Sequence, residues 1–227
     1  MNGNQVLLIA DGCGGVPYGA EASEMAVNAC ATEIFTQLVS KQESVAEAII
    51  AGFAVASNAL AIHGAELNLT NLSDGLRTTL IVVIGTPEKY CWGYIGDGAM
   101  KIVRNTGDVE DLMTQQRADA SATNVLAASL GPTLHGEAVF GCSPRGIGDV
   151  LLGGTDGVFD RVDDRFVREL MRMAIFQKGD LMKTVKASLN QLSSIVDETG
   201  EFVCDDNLTL GLMADGTQPE FRSRFWT

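Results

Sequence analysis

Val6-Leu7-Leu8-Ile9-Ala10-Asp11-Gly12-Cys13-Gly14-Gly15 is the stretch on which the reading of the fold turns. Its five apolar residues predict a short buried strand. The strand runs into an aspartate followed by three glycines in four positions, and Ala20-Glu21-Ala22-Ser23 then opens a long helical pattern. Asp11 is therefore expected at a strand tip, on a turn whose glycines let backbone and ions come close. A carboxylate there needs water, a partner or a cation.

Asp-Gly is also a common turn dipeptide, so one such tip decides little. Repetition decides more. Asp97-Gly98, Asp156-Gly157 and Asp205-Asp206-Asn207 also close apolar, strand-like runs. Several carboxylates on strand tips can converge on one hard cation, and oxygen-only ligands favour magnesium, manganese or calcium over zinc.

Composition narrows the function. The 227 residues fit one domain or two small ones, and 46% hydrophobic with 20% charged residues supports a large core. The net charge of −13, from 16 basic and 29 acidic residues, argues against a nucleic-acid partner. Cys13, Cys30, Cys91, Cys142 and Cys204 are scattered, with no CxxC pair and only His63 and His135 beside them, so a zinc site is not expected. Their odd number reads as free thiols in a reducing compartment. The N-terminal residues do not form a signal peptide, and no run is read as reaching the ~18 apolar residues of a membrane span. The expectation is a cytoplasmic protein, a monomer, without membrane or nucleic-acid partners.

Along the chain, Val27, Ala31, Ile34 and Leu38 lie on one face of a helix over residues 19–40. A second helix over 44–66 starts at Ser44 as cap with Glu47 three residues on. Thr78–Gly85, Tyr90–Gly96 and Ala99–Arg104 read as a three-strand meander. Residues 105–135 are polar and weakly patterned, an excursion at the domain edge suited to a flap, with a short helix near Asn124–Ser129. Strands follow at Glu137–Cys142 and Val150–Gly154, helices near 163–176 and 180–196, and a last strand at Leu208–Met213. Helices and strands are segregated. This implies an α+β fold of antiparallel sheets covered by helices, in a single domain over 1–227, and not a doubly wound parallel sheet.

These blocks, in this order, resemble the metal-dependent serine/threonine protein phosphatases of the type 2C class. Asp11-Gly12-Cys13-Gly14-Gly15 with Gly19-Ala20-Glu21-Ala22-Ser23 matches the family's DGxGG…GxxAS block. Arg77-Thr78-Thr79 falls at its small-Thr-Thr strand start, Gly96-Asp97-Gly98 at its GD(S/G) turn with Arg104 downstream, and Leu130-Gly131 at its ALG element. Thr155-Asp156-Gly157-Val158-Phe159-Asp160 matches (S/T)DGxxD, and Asp206-Asn207-Leu208-Thr209 matches DNxT. The resemblance covers about residues 6–214. It implies a central sandwich of two antiparallel sheets flanked by pairs of helices, a four-layer α-β-β-α arrangement. It also implies a two-metal site for Mg2+ or Mn2+, with Asp11 bridging both ions, the Gly12 carbonyl on one, and Asp156 and Asp206 completing the other. Asp97 and Asp160 fall at a third, more loosely held metal. The implied activity is hydrolysis of phosphoserine and phosphothreonine in proteins by a metal-activated water, with Asp11, Asp156 and Asp206 as the catalytic set.

Two departures stand against the pattern. The family's upstream segment, with an Asn-x-Asp-like acid and a phosphate-holding arginine, is not matched in this sequence. A slow or catalytically impaired, phosphatase-like regulatory or binding protein is therefore the alternative. Arg77, Arg145 and Arg161 are candidate replacements for that arginine, each reading first as a surface residue. Cys13 stands where many members carry His or Met, and both a reactive thiolate and a small buried filler are open.

Overall fold

The computed structural model describes residues 4–41, 44–118, 125–160, 162, 164–169, 181–194, 199 and 208–214. Among the described residues, eight strands form two antiparallel four-stranded sheets. Strands β1 (Gln5–Ile9), β2 (Leu80–Gly85), β3 (Lys89–Ile95) and β6 (Val139–Pro144) make the first, in that order. In the second the order is β5 (Val109–Asp111), β4 (Ala99–Val103), β7 (Val150–Gly154) and β8 (Leu210–Ala214). The α+β class and the antiparallel sheets are those expected. Internal contacts divide the chain into two units, residues 1–97 with 115–145 and residues 98–114 with 146–227.

In the first unit, α1 (Gly19–Thr36) and α2 (Val45–Glu66) cover the sheet. Helix α2 begins at the expected capping box, Ser44 Oγ accepting from Glu47 N and the Glu47 carboxylate accepting from Ser44 N. Helix α1 buries Ala22, Ala26, Cys30 and Ile34, a stripe of three small residues closed by an isoleucine at a spacing of four. The stripe lets the helices approach closely: a Cβ on Gly52 would lie 2.7 Å from Cys30 Sγ. Every residue of β2 is buried, so the strand reads as a continuous apolar run. Ile34, Ile49, Phe53, Leu60, Leu80, Val82 and Ile84 form one core, each fully buried large side chain being worth about 1.5–3 kcal/mol of transfer free energy. Phe53 meets Phe140 of β6 edge to face at 5.4 Å.

The second unit has a smaller core of Val103, Val150, Leu152, Val158, Val167, Leu192 and Leu210. Helix α3 (Asp156–Phe159) follows β7, and α4 (Leu181–Ser193) packs on β8. Ion pairs tie its strands. Lys101 bridges Asp111 at 2.5 Å and Asp164 at 3.2 Å. Arg104 holds Asp149 at 2.8 Å and also pairs with Glu110. Asp149, 2% exposed, accepts further bonds from the amides of Asn105 and Gly146.

Several expectations need correction. The meander is not one: β3 pairs with β2 and β6, whereas β4 pairs with β5 and β7. Gly96-Asp97-Gly98 is thus the passage from one sheet to the other, not a hairpin turn. The excursion carries a strand, β5, where none was expected. Residues 125–130 form bridges, Leu126 with Arg117 and Ser129 with His135, not a helix. Cys91 and Cys142 face each other across β3 and β6 and form a disulfide, so the free-thiol reading fails for this pair, and with it that argument for a reducing compartment. Helix α2 is long and apolar enough to cross a membrane by length and composition, contrary to the sequence reading. Its buried stripe lies in the core above. Of the helix expected over 163–176, residues 164–169 are helical and 170–176 lie outside the described residues.

Candidate functional site

In the first unit, Asp11 stands two residues past β1, half-buried, on a backbone held from both sides. Its amide donates to Thr79 Oγ1 at 3.0 Å. Its carbonyl accepts from the Thr79 amide at 2.9 Å and from Thr78 Oγ1 at 2.8 Å. The Cys13 amide donates to the Arg77 carbonyl at 2.9 Å. Gly12 is therefore bridged to Thr78 with its own carbonyl turned away from that ladder. Thr78 in turn exchanges two backbone bonds with Leu130. The Arg77-Thr78-Thr79 block is thus a splint between Asp11-Gly12-Cys13 and Ser129-Leu130.

Gly12 and Gly19 have a steric cause. A Cβ on Gly12 would lie 2.2 Å from both the carbonyl carbon and oxygen of Gly19, and one on Gly19 2.9 Å from the Cys13 carbonyl oxygen. At this approach of Gly12 to Gly19 the loop has room for nothing larger. Its far end is fixed by Leu76, whose amide donates to the Pro17 carbonyl at 2.9 Å.

Arg77 is not a surface residue. It is 5% exposed, and its guanidinium turns into the 129–133 segment. Nε donates to Ser129 Oγ at 3.0 Å, and Nη2 to the carbonyls of Ser129 at 3.3 Å and Thr133 at 3.1 Å. Burial holds its pKa below the ordinary value. The sequence places an arginine at a small-residue position and gives no sign of this buried strut. Arg145 is also buried, against the Tyr90 ring and donating to Gln5 and the Thr86 carbonyl. Arg161 lies outside the described residues.

Burial pushes the Cys13 thiol up to about 11, with Arg77 pulling it down and Asp97 and Asp11 pushing it further up. Cys13, Arg77, Asp97 and Asp11 thus share one electrostatic neighbourhood, in which the thiol stays protonated at neutral pH.

Asp97 is buried and paired, Arg117 Nε donating to its Oδ2 at 3.3 Å. The preceding Gly96, at φ +109°, is clasped by Gln116, whose Oε1 accepts from the Gly96 amide at 2.8 Å while its own amide donates to the Gly96 carbonyl at 3.0 Å. Neither Gln116 nor Arg117 was singled out from sequence, because both fall in the weakly patterned 105–135 stretch.

In the second unit, β7 delivers Thr155 and Asp156 to the start of α3. Asp156 is half-buried, with Oδ1 accepting from the Gly157 amide at 2.8 Å. Thr155 is tied to Thr209 twice, its amide to the Thr209 carbonyl at 3.1 Å and the Thr209 amide to its hydroxyl at 3.2 Å. Asp160 ends α3 and is exposed. Asp205 and Asp206 lie outside the described residues.

Among the described residues, no three His, Cys, Asp or Glu side chains are grouped as a metal site. In the first unit the donor chemistry at Asp11 and Gly12 fits a hard divalent cation, and in the second that at Asp156 does, each being oxygen-only and partly exposed. At Asp97 it does not fit, since that carboxylate already faces a guanidinium.

The chain belongs to the protein phosphatase 2C family, whose model matches residues 1–193. A curated relative from rice (Oryza sativa subsp. japonica), itself named for protein phosphatase 2C, is 27% identical over 142 residues, 63% of this chain. The match spans 42% of that relative's length. Among solved structures, the S. agalactiae serine/threonine phosphatase aligns with a TM-score of 0.71 at 19% identity, over 94% of this chain and 89% of its own. Staphylococcus aureus Stp1 gives 0.72 at 15%, over 93% and 84%. The catalytic domain of PstP, in complex with two manganese ions, gives 0.66 at 17%, over 93% and 90%. These likenesses show the fold.

Proposed function

We propose that this chain is a magnesium- or manganese-dependent protein serine/threonine phosphatase, with Asp11, the Gly12 carbonyl, Asp156 and Asp206 as oxygen ligands and phosphoproteins as substrates. The observation that carries the reading is the Asp11 tip, where a half-buried carboxylate sits on a backbone locked by Thr78, Thr79 and the Gly12–Gly19 approach. When bound, two cations supply a water of lowered pKa and a clamp for phosphate oxygens. The chain's own residues provide the rest. Thr78 and Thr79 fix the direction in which Asp11 leaves its strand, so the carboxylate needs little reorganisation to receive a cation. The Gly12 carbonyl, turned from the ladder, offers a second oxygen beside it. The attacking group in this reading is a water, so no cysteine nucleophile is needed. The manganese-bound PstP structure supports the choice of metal at the level of the family.

The test is turnover of an aryl phosphate with manganese, before and after exhaustive chelation, together with calorimetric titration of Asp206→Asn and Asp205→Asn. Turnover is expected to vanish with chelator. Tight manganese binding is expected to vanish in Asp206→Asn and to be only weakened in Asp205→Asn. Activity that survives chelation overturns the reading, and the reverse order of the two variants overturns the choice of Asp206.

A further inference from the structure

We propose that Arg117 is the resident cation of Asp97, occupying a carboxylate that the family pattern would give to a third metal ion and latching a hairpin onto the end of β3. The proposal rests on the phosphatase reading only for the word "third"; the latch itself stands on geometry.

Both side chains are withdrawn from solvent, Arg117 being 13% exposed and Asp97 10% at the side chain, with 3.3 Å between Nε and Oδ2. The guanidinium is delivered by ordered backbone. Arg117 is bridged to Leu126, the Ala118 amide donates to the Val125 carbonyl at 2.8 Å, and the Ala127 amide to the Gln116 carbonyl at 2.8 Å. Gln116, one residue before, clasps Gly96 through both its backbone amide and its side-chain oxygen. Its Nε2 also donates to the Glu137 carbonyl at 2.8 Å, just ahead of β6. Four bonds from two neighbouring residues therefore bind this hairpin to Gly96, Asp97 and Glu137.

A divalent cation on Asp97 would have to displace the guanidinium or sit beside it. Displacement strands a poorly exposed positive charge, and cohabitation sets like charges against each other at close range. Arg117 instead supplies the positive charge permanently, as part of the chain. Asp97 then acts as an anchor for the hairpin, and the metal complement is limited to ions that do not use it.

The experiment uses the full chain, with Mn2+ as the probe. Bound manganese is counted by calorimetry and electron paramagnetic resonance in the native protein, Asp97→Asn, Arg117→Gln and Arg117→Lys. Hydrogen exchange is followed at the amides of Gly96, Gln116, Ala118 and Ala127. Asp97→Asn and Arg117→Gln are each expected to speed exchange at these amides by about tenfold or more, with Arg117→Lys between them and the native protein. Asp97→Asn is expected to bind as many manganese ions as the native chain. An extra, weak manganese site appearing only in Arg117→Gln also supports the proposal. Loss of one manganese in Asp97→Asn with unchanged hairpin exchange overturns it. If the native chain binds no manganese, the metal-dependent reading fails while the exchange data still decide the latch: unchanged exchange in both Asp97→Asn and Arg117→Gln overturns it on its own.

Discussion

Asp11 and Asp97 both follow apolar strands of the first sheet and both precede glycine, yet they are held by opposite means. At Asp11 the restraint is backbone: two threonines, the Arg77 carbonyl and a glycine pair fix the chain. At Asp97 the restraint is side chain: a guanidinium takes the carboxylate and a glutamine clasps the glycine before it. The same dipeptide thus yields an acid poised at a strand tip in one case and an acid committed to an internal partner in the other. What separates them is which segment arrives from far away in sequence, and a local motif does not contain that information.

The strongest way to break this contrast is at Gly12. Gly12→Ala puts a methyl 2.2 Å from the Gly19 carbonyl, against backbone that cannot yield as a side chain would. The expected loss is about 3 kcal/mol or more. Gly14→Ala, with nothing within 4 Å of its Cβ, is expected within about 0.5 kcal/mol. Chemical denaturation of the two variants measures both, and equal losses would remove the backbone explanation.

Arg77 sharpens it next. Arg77→Met keeps the backbone bond to Cys13 but leaves the buried Ser129 and the Thr133 carbonyl without their guanidinium donor. A loss of about 2 kcal/mol is expected. Denaturation midpoints check it, and a neutral substitution would show that the splint needs only its main chain.

The smallest effect depends on pH. His63, near the end of α2, bonds Glu66 through Nδ1 at 3.0 Å and Glu21, in the first turn of α1 after the glycine loop, through Nε2 at 2.7 Å. Both carboxylates raise its pKa above the ordinary value. The stabilisation is therefore fully present below about pH 6.5, where the unfolded histidine is also charged, and is lost as pH rises through the higher folded value. The melting temperature of the native protein minus that of His63→Gln is expected to be largest in mild acid and to shrink in alkali. A difference that grows with pH would refute the charged clip.

Much of the fold could be read locally. The Ser44–Glu47 box, the run at Val150–Gly154 and the wholly apolar β2 carry their signals within a few residues. Pairing was less legible. Nothing around Asp97-Gly98 says that β4 leaves β3 for β7, because that choice depends on partners 47 to 55 positions further on, from Val103 with Val150 to Ala99 with Gly154 by register. The candidate site divides the same way. Asp11, Gly12 and Asp156 announce themselves at strand ends, whereas Arg77 and Arg117 take their meaning from Ser129, Thr133 and Asp97, which only folding brings to them.

The interleaving of the two units has a consequence for synthesis. As the chain leaves the ribosome, β4 and β5 emerge before the first unit reaches its last residue, Arg145. Their sheet cannot grow until β7 and then β8 follow. A two-stranded ribbon is marginal alone, so until β7 arrives the nascent chain carries, between the two parts of its first unit, a strand pair whose free edge waits for residues not yet translated.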